Sequence, residues 1–252
     1  MKILLVGLLL STYLAAAQEF HFQPTGTRSI ELQFSNASLH VKGHTDSKIS
    51  IIRNEFVEKE DERSSGLTKI SAFPDNSGIG FYVAEEKDVV KLYRQDDAYA
   101  DYTILVPHAM DLRIKEFKWY NGSIEVENIS ASLSITASNS EIKLRQLSGP
   151  SYVKSVSGNI DALSTSLPID YQTVSGKVTL VLPAALPAEL AVHTISGQII
   201  CDFATSKTIE VKGSTLTQVG RVKRLDMPIN GGGKLLNLES VSGLIELITV
   251  SH

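Results

Sequence analysis

The stretch Val156-Ser157-Gly158-Asn159-Ile160 decides the reading of this sequence, because 18 residues later it returns as Val174-Ser175-Gly176-Lys177-Val178. The same step stands 18 residues earlier as Asn139-Ser140-Glu141-Ile142, and 18 before that as Asn121-Gly122-Ser123-Ile124. Downstream, Ile195-Ser196-Gly197-Gln198-Ile199 follows after 21 residues, and Val241-Ser242-Gly243-Leu244-Ile245 after a further 46. Residues 183–188 can hold the three-residue insertion. The interval of 46 reads as two turns of 23, with Gly220-Arg221-Val222 at its midpoint.

Set in register, these segments make columns. Two residues after each small residue stand Ile124, Ile142, Ile160, Val178, Ile199 and Ile245. Two further on stand Val126, Leu144, Ala162, Leu180, Cys201 and Leu247. Two before stand Tyr120, Ser138, Val156, Val174, Ile195 and Val241, and all but Ser138 suit an apolar interior. Side chains alternate faces along a strand, so the apolar columns are expected to point inward and the polar residues between them outward. A unit of about 18 residues cannot bury its apolar face alone, but stacked units cover one another. The small residue lets the chain bend or approach closely. The residue before it (Asn121, Asn139, Ser157, Ser175, Ser196, Ser242) forms a second ladder whose short side chains can bond to backbone at a bend.

The expected fold is therefore all-β, a β-solenoid resembling a right-handed β-helix with about 18–23 residues per turn. A twisted antiparallel meander is the alternative, since 18 residues also make a hairpin. Upstream, Ile30-Glu31-Leu32-Gln33-Phe34 and other period-two runs predict an N-terminal β-rich region that could cap the solenoid. Residues 55–63 lack an apolar stripe and read as a solvated loop or the tips of a long hairpin. The domain organisation expected is 1–17 signal peptide, 18–101 N-terminal β-rich region and 102–252 repeat domain.

The leader reading rests on Lys2, an apolar run over residues 3–14, and Ala15-Ala16-Ala17, small residues suited to a signal peptidase. The run is shorter than the roughly 20 residues a transmembrane helix needs. The mature chain would begin at Gln18, with no membrane-spanning segment. Cys201 is the single cysteine, so no internal disulfide can form, and its place in an inward column marks an inert buried thiol. Hydrophobic content of 42% supports a core, and a net charge of −4 carries no footprint for nucleic acid.

Several motifs also resemble a known family. Val106-Pro107, Leu112-Arg113-Ile114 and Gly122-Ser123-Ile124 look like the start of the repeats in the bacterial "putative adhesin" family of the DUF4097 type. Val181-Leu182-Pro183 followed by Thr194-Ile195-Ser196-Gly197-Gln198-Ile199 looks like its middle. Gly231-Gly232-Gly233 followed by Leu238-Glu239-Ser240-Val241-Ser242-Gly243-Leu244-Ile245 looks like its end. The resemblance spans residues 102–250. It implies a β-helix-like fold on exported or envelope proteins, with no catalytic residues to carry over. Many members hold Asp in a Ser-Gly-Asp-Ile step; here that position is Ser123, Glu141, Asn159, Lys177, Gln198 and Leu244. A uniform acidic ladder, and a cation site built on one, does not carry over.

No catalytic, cofactor-binding or metal-binding residues are assigned. His40 and His44 share a strand face but would stand about 13 Å apart, and no cysteine or carboxylate cluster completes a site. Gly231-Gly232-Gly233 lacks the Lys-Ser/Thr step of a phosphate loop. The outward column Glu125, Lys143, Asp161, Thr179, Ile200 and Glu246 is where a polysaccharide-acting β-helix enzyme would need paired carboxylates. Its first three charges alternate in sign, as in a ladder of weak ion pairs. Phe117, Trp119 and Tyr120 cluster where the repeats begin, either capping an open solenoid end or stacking on sugars. The function expected is a non-catalytic protein of the envelope, cell surface or exterior, binding an unidentified glycan or protein. The alternatives are a polysaccharide-acting enzyme and a periplasmic regulatory or assembly module.

Overall fold

The computed structural model describes residues 18–57, 73–94, 98–118, 121–201, 209–211, 214–216 and 223–250. The N-terminal part holds β1 (Gln18–Phe22), β2 (Ser29–Phe34), β3 (Ala37–His44), β4 (Ile49–Val57), β5 (Tyr82–Glu86), β6 (Val89–Arg94) and β7 (Tyr99–Pro107). Next come β8 (Asp111–Glu116), β9 (Ser123–Glu127), β10 (Leu133–Ala137), β11 (Glu141–Leu147), β12 (Ser151–Ser155), β13 (Ile160–Thr165), β14 (Ile169–Thr173) and β15 (Val178–Pro183). The remainder is β16 (Ala188–Thr194), β17 (Gln198–Cys201), a hairpin of β18 (Ile209–Val211) and β19 (Ser214–Leu216), then β20 (Arg224–Ile229), β21 (Lys234–Ser240) and β22 (Leu244–Val250).

Two ten-stranded sheets sandwich the core. The front sheet runs β1-β4-β7-β3-β9-β11-β13-β15-β22-β17, and the back sheet β20-β16-β21-β14-β12-β10-β8-β2-β6-β5. Each coil gives one strand to the back sheet and the next to the front. β12 and β13 form one coil, β14 and β15 the next, and equivalent strands pair in parallel, Val153 opposite Tyr171 and Ile160 opposite Val178. Parallel pairing along both sheets is the solenoid expectation; the meander is excluded for these coils. Among the described residues, antiparallel strands of the two large sheets stand at their ends: β1, β4 and β5 at one, β20 at the other.

The N-terminal region does more than cap. Coils β6–β7 and β2–β3 belong to the stack itself, and β2–β3 lies between β6–β7 and β8–β9. The sheets run unbroken across residues 101 and 102, inside β7. The order of the last coils is likewise not that of the chain. β21–β22 inserts between β14–β15 and β16–β17. The interval of 46 is thus not two successive turns. After β17 the chain passes through the β18–β19 hairpin and antiparallel β20, then returns one coil earlier. Gly220-Arg221-Val222 lies outside the described residues, as do residues 1–17, the polar stretch 58–63 and Trp119 and Tyr120.

Two of the three inward columns are where the periodicity puts them. Ile124, Ile142, Ile160, Val178, Ile245 and Ile199 are buried, as are Val126, Leu144, Ala162, Leu180 and Leu247. Each Ile, Val or Leu among them contributes roughly 1.5–3 kcal/mol by its removal from water. Cys201 is half-buried, packed against the core edge and outside any disulfide. The third column is a correction. Val156, Val174, Ile195 and Val241 are exposed by 38%, 45%, 59% and 41%. Inside, one residue earlier, sit Ser155, Thr173, Thr194 and Ser240. The period of two does not survive the corner, where two successive residues face outward and the parity shifts by one.

The buried hydroxyls explain the shift. Ser155 Oγ accepts the Gly158 N–H at 3.0 Å, Thr173 Oγ1 that of Gly176 at 3.1 Å, Thr194 Oγ1 that of Gly197 at 2.9 Å, and Ser240 Oγ that of Gly243 at 2.7 Å. A backbone donor that turns away from both sheets is thereby satisfied. The glycines are close-contact points. A Cβ on Gly176 would lie 2.2 Å from the carbonyl oxygen of Gly158, one on Gly243 1.9 Å from that of Gly176, and one on Gly197 1.9 Å from that of Gly243. These contacts restate the coil order: Gly158, Gly176, Gly243, Gly197. The second ladder forms as its residue types suggest. Ser175, Ser242 and Ser196 each donate to the neighbouring coil's corner carbonyl, at Val156, Val174 and Val241.

Candidate functional site

Three surfaces carry polar side chains in fixed array: the outer face of the front sheet, the Ser/Asn corner, and the outer face of the back sheet. The front face contains the column examined for carboxylate chemistry. Strand register sets it as Thr103, His40, Glu125, Lys143, Asp161, Thr179, Glu246, Ile200. The last two are reversed from chain order because β22 precedes β17 in the sheet.

Glu125 sits between two basic side chains, Lys143 and His40. Its carboxylate lies 2.8 Å from Lys143 Nζ and 3.1 Å from His40 Nδ1. His40 Nε2 is 3.9 Å from Asp101, which also accepts a hydrogen bond from Asn54 at 3.0 Å. One row over, Lys42 pairs with Glu127 at 2.8 Å, and Lys177 pairs with Glu246 at 2.7 Å. The hydrogen bond from Lys143 holds the Glu125 carboxyl below its ordinary range against the opposing effect of partial burial, with the charges of Lys143 and His40 adding. Lys143 is raised in turn by the same hydrogen bond.

That arrangement runs against glycosidase chemistry, where one carboxyl must stay protonated near neutrality opposite a second, ionised one. Glu125, Glu127 and Glu246 are each matched to a base on a neighbouring coil, at about 0–1 kcal/mol per exposed pair. The cleft among His40, Lys42, Glu125, Glu127, Lys143 and Arg145 holds about 50 Å³, room for little more than a water or two.

The corner is wider. Ser38, Asn121, Asn139, Glu141, Ser157 and Asn159 line a shallow groove of about 460 Å³. Asn139 Nδ2 donates to Asn121 Oδ1, Ser157 Oγ donates to Asn139 Oδ1 at 2.6 Å, and Asn159 Oδ1 accepts the Lys177 N–H at 2.9 Å. Amides and hydroxyls thus stand in a row along the stacking axis. This coil also shows a residue the sequence reading passed over. Ala137 occupies the corner position held in the later coils by Ser or Thr. Glu116, 5% exposed, reaches across from the adjoining coil. Its carboxylate accepts from the backbone N–H groups of Ser138 and Asn139 at 2.6 and 3.2 Å and from Ser140 Oγ at 2.8 Å. The alternating burial along β8 puts Glu116 inward, a signal that strict alternation from Leu112 would have given.

The histidines do not converge. His21 bonds Ser50, His40 meets Glu125, His44 Nδ1 accepts the Asp46 N–H, and His108 bonds Ser130. His193 is exposed on β16, and His252 lies outside the described residues. Among the described residues, no three His, Cys, Asp or Glu side chains group as a metal site would require. Gly231-Gly232-Gly233 is the turn between β20 and β21, with φ of +92°, +80° and +159°. Tyr171, fully buried, bonds Ser151 at 2.8 Å, and burial pushes its phenol up to about 12. Phe117 is 50% exposed at a corner in the middle of the stack, between coils β2–β3 and β10–β11. It therefore does not cap an open end, because the stacking of β2–β3 on β8–β9 buries that end within the solenoid.

Residues 105–226 match the family described as Toastrack DUF4097. The family resemblance carried by the motifs is shown over that stretch, which stops before β21 and β22. No curated protein matches the chain. Among solved structures, a "putative cell adhesion protein" from Clostridium sporogenes ATCC 15579 is similar at 12% identity, covering 93% of this chain and 100% of that one, with a TM-score of 0.40. A "putative adhesin" from Bacteroides fragilis NCTC 9343 is similar at 11% identity, covering 94% of this chain and 98% of that one, with a TM-score of 0.46. No helix among the described residues is long and apolar enough to cross a membrane.

Proposed function

We propose, from the match of residues 105–226 to the Toastrack DUF4097 family and the two-sheet solenoid, that this chain is an exported, non-catalytic binding protein of adhesin type. It acts in the periplasm, at the cell surface or outside. Residues 1–17 serve as a cleaved leader, leaving an N-terminal region of 18–101 and a repeat region of 102–252. The observation that carries the reading is the set of polar ladders on rigid, continuous sheet faces and along the Ser/Asn corner groove. Such ladders repeat at the strand spacing of about 4.8 Å, which suits an extended partner such as a glycan chain or a protein strand. The acids on the front face support binding over hydrolysis, because Glu125 is held ionised rather than protonated.

The test has two arms. A glycan array with an envelope-extract pull-down should identify a saturable partner, while a polysaccharide panel should show no turnover. Turnover that disappears when one carboxylate is changed would overturn the reading in favour of an enzyme.

A further inference from the structure

The back sheet carries a surface unlike the front. β8 presents Arg113 and Lys115 outward, β10 presents Ser134 and Thr136, and β12 presents Tyr152 and Lys154. Register sets them in two rows, Arg113–Ser134–Tyr152 and Lys115–Thr136–Lys154. Strands are about 4.8 Å apart, so the flanking side chains stand about 9.6 Å from each other across a middle strand of short hydroxyl residues. The result is a trough with a hydroxyl floor, cations on both walls and an aromatic ring on one. Tyr152 is 41% exposed, and Phe117, further along β8's edge, has Lys115 Nζ 5.4 Å from its ring centre.

The cations differ from three lysines of the front face in one respect. Lys42, Lys143 and Lys177 each pair with a glutamate on another coil. Among the described residues Arg113, Lys115 and Lys154 make no ion pair. Three unneutralised cations are thus gathered in a chain whose net charge is −4. The patch is bounded along its first row by Glu31 beside Arg113 and by Asp170 beside Tyr152.

We propose that the outward face of β8, β10 and β12 binds an acidic polysaccharide, a chain of sugars bearing carboxylates or sulfates. This deepens the binding reading above and rests on it. Arg113 supplies a planar fork and the lysines point charges for the acidic groups. Ser134 and Thr136 offer donors and acceptors to sugar hydroxyls. Tyr152 offers a ring face to the sugar's C–H side. Nucleic acid is a poorer match, because three cations fall short of the 6–10 phosphate contacts that typically hold a duplex, and Glu31 and Asp170 flank them. An anionic membrane is poorer still, since Asp170, Glu189 and Glu239 share this face.

The experiment is calorimetric titration of the purified protein with polygalacturonate and dextran sulfate. Neutral dextran, duplex DNA and phosphatidylglycerol vesicles are the comparison arms. Binding to at least one acidic polysaccharide, weakening as salt rises, is expected. The double variant Lys115→Glu/Lys154→Glu should lose about tenfold or more in affinity, and Tyr152→Ala should lose affinity without changing the salt slope. Lys48→Glu/Lys87→Glu, with the same charge change in exposed turns away from the sheet faces, should bind as the parent does. Thermal unfolding of each variant keeps a folding defect distinguishable from a binding defect. The proposal is overturned by equal losses in both double variants, by tighter binding to DNA or vesicles, or by no binding to either acidic polymer. A neutral glycan or protein partner whose binding ignores Lys115 and Lys154 would overturn this assignment yet leave the broader binding reading standing. Turnover of a polysaccharide would overturn both.

Discussion

The corners of the late coils and those of the early coils solve one backbone problem with different chemistry. In the coils of β12, β14, β21 and β16, the last inward residue is Ser155, Thr173, Ser240 or Thr194, whose hydroxyl accepts an N–H of its own corner. In the early coils the same line holds Arg94, Phe34 and Glu116. Arg94 is fully buried and donates to the carbonyls of Ser35 and Asn36 and, at 2.6 Å, of Ala98. Its guanidinium also lies 5.5 Å from the Tyr102 ring. Glu116 does the reverse, collecting donors from the next coil. The bend needs its buried polar groups satisfied, and either a donor or an acceptor can do so if its reach fits. A short hydroxyl serves its own coil and can recur every turn. A long charged side chain serves a neighbour and is used once.

The comparison can be broken or sharpened by substitution. The largest effect is expected inside both sheets alike. Ile160→Asp should destabilise by about 4 kcal/mol or more, since it buries an unpaired carboxylate, whereas Asn159→Asp, which keeps the acceptor for the Lys177 N–H, should shift stability by less than about 0.5 kcal/mol. Equal shifts in thermal melting would contradict the inward column. Next, Arg94→Met strands several early-corner carbonyls and should lose about 3 kcal/mol in urea unfolding. A near-neutral result would mean those carbonyls find other partners.

Thr173→Val keeps shape but removes the acceptor for a single N–H, so about 1–2 kcal/mol is expected. A loss as great as that of Arg94→Met would erase the proposed difference between one-bond and many-bond corners. The smallest effect is on the front face. Because the folded carboxyl of Glu125 is depressed, its contribution is full above its ordinary value of 4.5 and is lost as pH falls through the folded value. Wild type should exceed Glu125→Gln by less than about 1 kcal/mol at neutral pH, and the gap should close in acid. A gap that widened on acidification would reverse the assigned direction.

The late corners were legible and the early ones were not, for the same reason. Ser-Gly steps recur because each coil meets its neighbour through a glycine with no room for a Cβ, and spacing alone exposes that. Arg94 and Glu116 occur once each, with no repeat to betray them. The exposed valines misled because Val156, Val174 and Val241 look like core residues in any count of hydrophobicity. Only the parity shift at the corner turns them out. The front-face column was legible as alternating charge, and its pairing partners followed from register. The back-face trough was not, since it depends on which three strands lie side by side.

The sequence by itself determined that this chain is all-β and built of stacked coils. Period-two alternation dictates strands, and recurring Ile, Val and Gly columns dictate stacking. Only the tertiary structure decided the order of the coils. The columns are nearly interchangeable, so parallel pairing favours no particular neighbour by side-chain type. What places β2–β3 beside β8–β9, and β21–β22 beside β14–β15, is that each coil must find parallel partners in the front and back sheets together.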